Sequence, residues 1–474
     1  MLSDHIASQI YSNFGFEATF GQKKVIEKLA TYIADPDYRR IFILNGYAGT
    51  GKTSIIAALV ATLKGLRIKP VLLAPTGRAA KVMTHYSGEK AYTIHKKIYR
   101  QRSLASAESD FSLDINKEKD AVFIVDEASM LSTSSGENRL FGSGNLLDDL
   151  MRYIESGTRC RLILVGDNAQ LPPVGFPYSP ALDPDKMSYY GEVTYCSLDD
   201  VVRQDADSGI LFNATLVRCM IEAGIEDIPL FETGYSDIRK LAGYEFLETI
   251  QDAYDKYGRD EVIVITRSNK RANRFNEGIR RNVLFAESEI ESGDMLMIVK
   301  NNYHYTEREE NCPIEFIANG DIARLSRIRR FEELYGFRFA EARLTFPDYD
   351  DLDIDCKVVL DTLTAETPAL TQDQNSKLFF AVAEDYTEIR SKAKRYKEVR
   401  ENPHFNAVQI KFAYAVTCHK AQGGQWSCVF IDQMLFGEEE MSRDLMRWLY
   451  TALTRATRQV YFVNFDDRFF AGLK

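Results

Sequence analysis

At 474 residues the chain is too long for one hydrophobic core and implies about two to four domains. Its 45% hydrophobic and 27% charged residues are those of an ordinary globular protein, which excludes disordered and fibrous classes. A net charge of −10 excludes a generally basic nucleic-acid coat but leaves a local basic groove open. The seven cysteines are scattered without a C-x-x-C pair, which argues against a zinc site or disulfide framework and for a reducing compartment. No apolar run reaches membrane-spanning length and the first residues do not read as a signal peptide, so a cytoplasmic protein with no membrane partner is expected.

In chain order, apolar β-like runs fall at 41–44, 71–74, 121–125 and 162–165, mostly separated by helical stretches. That alternation predicts a parallel α/β sheet. A second series at 262–265, 413–416, 429–431 and 460–463 predicts a similar unit in tandem. The pattern is interrupted at 84–120, where 98–104 and 111–115 flank a polar hairpin turn, and again at 319–411. The expected domains are therefore 1–198, a split second unit of 199–318 and 412–474, and an inserted β-rich domain at 319–411 with a charged helix over 384–400.

Gly46-Tyr47-Ala48-Gly49-Thr50-Gly51-Lys52-Thr53 matches the phosphate-cradling loop G-x-x-x-x-G-K-[ST], between a buried strand and an apolar helix. Backbone N–H groups of such a loop wrap phosphate oxygens at a helix N-terminus. Lys52 would reach the β- and γ-phosphates and Thr53 would ligate Mg²⁺, so a nucleoside triphosphate is the expected ligand. The strand ending in Asp126-Glu127 supplies two carboxylates at the sheet edge where ligands bind, Asp126 for Mg²⁺ and Glu127 for the attacking water. Gln170, at the end of the next strand, is the candidate sensor of the γ-phosphate. Arg203 and Arg455 are candidates to stabilise charge on that phosphate from the second unit.

Taken in order, 46–53, Ala74-Pro75-Thr76-Gly77, Thr93-Ile94-His95, Asp126-Glu127, 166–173, Arg203-Gln204, 417–423 and Leu453-Thr454-Arg455-Ala456 resemble the superfamily 1 DNA helicases, most of all the RecD/Dda branch. The resemblance implies an α/β fold with two tandem RecA-like parallel-sheet domains. It further implies a hairpin pin inserted in the first and a small SH3-like β-barrel in the second. ATP and Mg²⁺ would bind between the lobes through Gln22, which would read the adenine edge, together with Gly46, Ala48, Gly49, Thr50, Gly51, Lys52, Thr53 and Gly423. Pro75, Thr76, Thr93 and His95 of the first lobe and Asn269, Asn276, Thr417, His419 and Lys420 of the second would contact DNA. Phe111, at the base of the pin, would help separate strands. The activity implied is ATP-driven 5′→3′ movement on single-stranded DNA with duplex unwinding. The implied partners are single-stranded DNA, a DNA fork, and single-stranded-DNA-binding or replication and recombination proteins. An ATP-gated strand-binding remodelling factor and an RNA helicase of the same superfamily are the alternatives. A carboxylate–lysine pattern at 347–357 loosely resembles a nuclease site, without the structural context such a motif needs.

Overall fold

The computed structural model describes residues 2–101, 111–133, 142–200, 207–306, 312–314, 316–432 and 440–470, with the side chains of Gln101 and Phe111 outside that set. Eight strands belong to the first lobe: β1 (Ile41–Gly46), β2 (Pro70–Ala74), β3 (Ala91–Thr93), β4 (Tyr99–Gln101), β5 (Phe111–Leu113), β6 (Val122–Val125), β7 (Arg161–Gly166) and β8 (Val193–Leu198). Six of them form a parallel sheet in the order β3-β2-β6-β7-β1-β8. Its central strands β1, β2, β6 and β7 are buried on both faces. Phe42, Leu44, Leu72, Ile124 and Ile163 pack into one core. The alternate positions Ile41, Ile43, Leu73, Phe123 and Leu164 pack into another. That is the period-two alternation of a sheet sandwiched between helices.

The remaining strands are β9 (Ile238–Leu241), β10 (Val262–Thr266), β11 (Met295–Ile298), β12 (Ile322–Leu334), β13 (Phe337–Phe346), β14 (Leu352–Val359), β15 (Val408–Phe412), β16 (Ala415–Thr417), β17 (Trp426–Asp432) and β18 (Ala456–Val463). A five-stranded parallel sheet, β16-β10-β17-β18-β9, makes the second lobe, and β11-β12-β13-β14-β15 close into a barrel. Two parallel-sheet lobes with a barrel insertion are the expected fold class. Among the described residues no helix is long and apolar enough to cross a membrane.

Three boundaries differ from expectation. The barrel takes its first strand from 295–298, ahead of 319, because Leu296 pairs with both Ala323 and Phe412. Read alone, this apolar run could join any sheet. The interruption expected from 84 starts later, since helix Gly77–Ser87 runs through that position and β3 then joins the first sheet beside β2. The charged stretch at 384–400 is helical only in its second half: helix Gln372–Glu384 ends where it begins, and helix Lys392–Glu401 follows a turn, capped by Ser391 accepting from Lys394 N. In the hairpin, β4 pairs antiparallel with β5, Tyr99 opposite Leu113; its tip lies outside the described residues.

Ala169 and Leu171 follow β7 in the first lobe, yet both side chains belong to the core of the second. This short segment ties the lobes together beside the phosphate loop.

Candidate active site

A cleft of about 1090 Å³ opens between the lobes, lined by Lys52, Thr53, Asp126, Glu127 and Gln170 from one side and Gly423 and Arg455 from the other. The phosphate loop leaves β1 with Gly49 at φ +74° and Gly51 at φ +83°, a conformation costly for residues with a Cβ. A Cβ on Gly49 would also lie 2.6 Å from Leu211 of helix Gly209–Ala223. Lys52 opens helix Lys52–Gly65, and its Nζ donates to the carbonyls of Tyr47, at 2.9 Å, and Gly46. Thr53 is exposed in the cleft. Thr50 is fully buried and donates to Tyr47 O at 2.8 Å.

Gln22 lines the cleft with its amide partly committed to the protein. It is 2% exposed; its Oε1 accepts from Thr19 N at 2.9 Å and its Nε2 donates to Thr50 O at 3.0 Å. Its position in the capping box of helix Phe20–Ala34 turns the amide inward, so it clamps the phosphate loop to that helix.

Asp126 is held at both oxygens: Oδ1 accepts from Glu127 N at 2.8 Å and Oδ2 from the Tyr86 hydroxyl at 2.7 Å. Burial, then the charge of Glu127, raises the Asp126 carboxyl above its ordinary range. Glu127 adopts φ +51°, a left-handed conformation that costs a non-glycine residue about 1–3 kcal/mol and is characteristic of functional sites. Its Oε1 lies 3.7 Å from Arg455 Nη1. Arg455 is 3% exposed and is fixed by its own lobe, donating to Thr451 O, Gly424 O and Thr454 Oγ1, each at 3.2 Å. Gln170 is 7% exposed, and its Oε1 finds no hydrogen-bond partner among the described residues. A buried acceptor without a donor costs about 1–3 kcal/mol, and this one lines the cleft. Arg203 lies outside the described residues.

The expected strand contacts divide. Thr76 and Thr93 are helix N-caps, accepting from Ala79 N and Lys96 N at 3.2 Å each. Pro75 precedes the first cap, half-buried. His95 is half-buried, and burial pushes its imidazole down to about 4, so it is neutral near pH 7. In the second lobe Asn269 begins helix Asn269–Asn282, Thr417 ends β16, and His419 is exposed. Burial, and secondarily Lys411, lowers Lys420 to about 8. Asn276 cannot serve as a strand contact as expected: it is 3% exposed, donating to Phe412 O and Ala415 O and accepting from Ala415 N at 2.7 Å. Its amide stitches the join between β15 and β16. The segments of the two lobes expected to contact a strand meet where a Cβ on Gly423 would lie 3.1 Å from Thr76 Oγ1. The side chain of Phe111 lies outside the described residues. The nuclease-like pattern dissolves into ion pairs, Asp348 with Lys81, Asp355 with Arg329 and Arg343, and Lys357 with Glu332 and Glu341.

Tyr86, Asp167 and Tyr450 were not singled out from the sequence. Asp167, 1% exposed, follows the end of β7 and is raised above the carboxylate range by burial. It accepts from the Tyr450 hydroxyl at 2.7 Å. Tyr450 stands five residues before Arg455 in the same motif, which was a usable signal; Tyr86 lies forty residues from Asp126 and offered none.

Residues 17–218 match the AAA domain family, and residues 412–463 match the UvrD-like helicase C-terminal domain. The ATP-dependent RecD2 DNA helicase of Deinococcus radiodurans is 30% identical over 159 residues, 32% of this chain but only 18% of that protein. The ATP-dependent DNA helicase dda of Enterobacteria phage T4 is 25% identical over 484 residues, 94% of this chain and 99% of that protein. A crystal structure of Pif1 helicase from Bacteroides with ADP-AlF3 and single-stranded DNA covers 95% of this chain and 92% of its own, at 15% identity and a TM-score of 0.43.

Proposed function

We propose that this chain, a superfamily 1 helicase of the RecD/Dda/Pif1 type, hydrolyses ATP between its lobes to move 5′→3′ along single-stranded DNA and open duplex. The observation that carries the reading is Arg455 of one lobe standing 3.7 Å from Glu127 of the other, above the phosphate loop. Charge developing on the γ-phosphoryl is stabilised by a guanidinium from across such a seam, an effect worth about 10³–10⁵ in rate.

In this reading the N–H groups of the phosphate loop and Lys52 hold the phosphates, and Glu127 orients and deprotonates the attacking water. The unpartnered amide oxygen of Gln170 accepts from that water and reports its presence to the 167–171 segment. Arg203, outside the described residues, is assigned a second positive charge at the γ-phosphate.

The cleft fits Mg²⁺. Asp126 is a half-buried carboxylate already aligned by two donors and disfavoured by its neighbour's charge, and the Thr53 hydroxyl is open to the same space. A hard cation that keeps water and phosphate ligands asks for one or two protein oxygens. Thr53 and Asp126 would hold it, and it would supply charge neutralisation at the β- and γ-phosphate oxygens.

The strand lies across both lobes, over the Thr76–Gly423 junction, and contacts Pro75, Thr93 and His95 on one side and Asn269, Thr417, His419 and Lys420 on the other. Closure of the cleft changes the spacing of the two grips, which converts hydrolysis into movement. Phe111 and the hairpin act at the fork. The seven cysteines, none in a disulfide, support work in a reducing cytoplasm.

The test is unwinding of duplexes with 5′ or 3′ single-stranded tails in ATP and Mg²⁺, with matched RNA as a comparison. Unwinding of 5′-tailed DNA alone supports the reading. No ATP-dependent unwinding or strand-stimulated hydrolysis on any substrate overturns it.

A further inference from the structure

Helix Arg443–Leu453 carries more of the lobe interface than Arg455 alone. Arg447, Tyr450 and Thr451 fall at helical spacings that put them on one face. That face meets the first lobe. Arg447 Nη1 donates to Pro177 O, and Thr451 Oγ1 accepts from Leu171 N at 2.8 Å. Tyr450 goes deepest. It is 1% exposed, and its hydroxyl accepts from Ala48 N at 3.0 Å while donating to Asp167 Oδ2 at 2.7 Å.

One oxygen from the second lobe therefore touches both walls of the phosphate site. Ala48 N–H belongs to the loop whose amides cradle phosphate. Asp167 begins the turn that carries Gln170, with its Oδ1 accepting from Ala169 N at 2.9 Å. The turn cannot shift alone, because Leu171 N is bound to Thr451 and Leu171 O accepts from Gln422 Nε2 at 2.7 Å. Arg455 follows directly on the C-terminal end of the same helix and is anchored to it through Thr451 O. A displacement of the loop or of the Gln170 turn is thus passed through a phenol hydroxyl to the rigid helix that aims the guanidinium.

We propose that Tyr450 is a positioning residue for hydrolysis: its hydroxyl couples the phosphate loop and the Asp167 turn to Arg455 and so holds the guanidinium against Glu127. The inference rests on the role given to Arg455 above. Packing alone does not need the hydroxyl, since the ring of phenylalanine would fill the same volume; the two directed hydrogen bonds need it.

The experiment is a double-mutant cycle on single-strand-stimulated ATP hydrolysis by the full chain, comparing Tyr450→Phe, Arg455→Ala and the pair. Tyr450→Phe is expected to lower kcat by about tenfold or more, the size expected for one lost hydrogen bond to a charged group. KM for ATP should stay within about threefold, as for an interaction made only in the transition state. On the Arg455→Ala background the same change should cost nothing further, because the two act as a unit. Wild-type kcat in Tyr450→Phe, or a full multiplicative loss on top of Arg455→Ala, overturns the proposal. If Tyr450→Phe melts early, Asp167→Asn removes the charged acceptor and must show the same kcat loss and the same non-additivity, with an unchanged kcat overturning the coupling. Wild-type turnover in Arg455→Ala alone would instead sink the hydrolytic reading itself, whatever Tyr450 does.

Discussion

The nucleotide cleft and the proposed strand-contact surface use their polar side chains in opposite ways. In the cleft several of those side chains are cross-bonded, and some are held where folding alone would not leave them. Glu127 sits at φ +51°, Gln170 keeps an unpaired oxygen, and Arg455 is buried within reach of a carboxylate of the other lobe. On the strand surface the expected contacts have structural duties as well: Thr76 and Thr93 cap helices, and Asn276 holds a strand join. Chemistry on a phosphoryl group needs side-chain charges at fixed points, whereas a sugar–phosphate backbone is gripped by N–H groups and hydroxyls that the fold already displays. Glu127 and Gln170 are held for chemistry, while the residues expected to contact a strand also hold the fold together.

Substitutions on the two sides should break or sharpen that contrast. The largest effect is expected from Glu127→Gln and Arg455→Ala: strand-stimulated ATP turnover should fall about 10³-fold or more while nucleotide binding persists. A turnover assay beside a fluorescent-nucleotide titration checks it, and loss of both signals together would make these residues structural. Next, Asn276→Ala should destabilise the second lobe by about 2–4 kcal/mol, since it leaves buried backbone groups at 412 and 415 unpaired. Thermal denaturation reads this, and single-strand affinity of the folded protein should be unchanged. A strand affinity that collapsed at full stability would restore Asn276 to the contact surface.

Thr93→Ala should cost about 1 kcal/mol through the lost cap. It should also weaken single-strand binding if the hydroxyl serves the polymer as well, so melting and binding measured together separate the two duties. The smallest effect concerns pH. Lys420 has a pKa lowered to about 8, so it is cationic at pH 7 and loses its charge as pH rises through 8. Phosphate binding favours the charged form, so single-strand affinity and its salt slope should both decline between about pH 7 and 9. Lys420→Arg should flatten most of that decline, because arginine stays protonated. Lys411, also lowered to about 8 by burial, is already committed to Ala365 O. A decline of equal size in Lys420→Arg would point to Lys411 or another group as its source.

Residues that act within one short segment were legible from the sequence alone. The phosphate loop needs glycines at positions set by backbone sterics, the 46–53 pattern states them, and its φ values follow. Strand-end carboxylates and the two tandem α/β units follow from apolar runs and their alternation with helices, because burial on both sheet faces imposes those runs, whereas the barrel and pin are implied only by the family resemblance. What only the tertiary structure decided depends on surfaces brought together from distant parts of the chain. The barrel's first strand, the clamp made by Gln22, the hydroxyl of Tyr86 on Asp126 and the reach of Tyr450 across the lobes are of this kind. A hydrogen bond between residues forty or four hundred positions apart leaves no local pattern, since the same tyrosine or glutamine is as stable in any core that offers its polar end a partner.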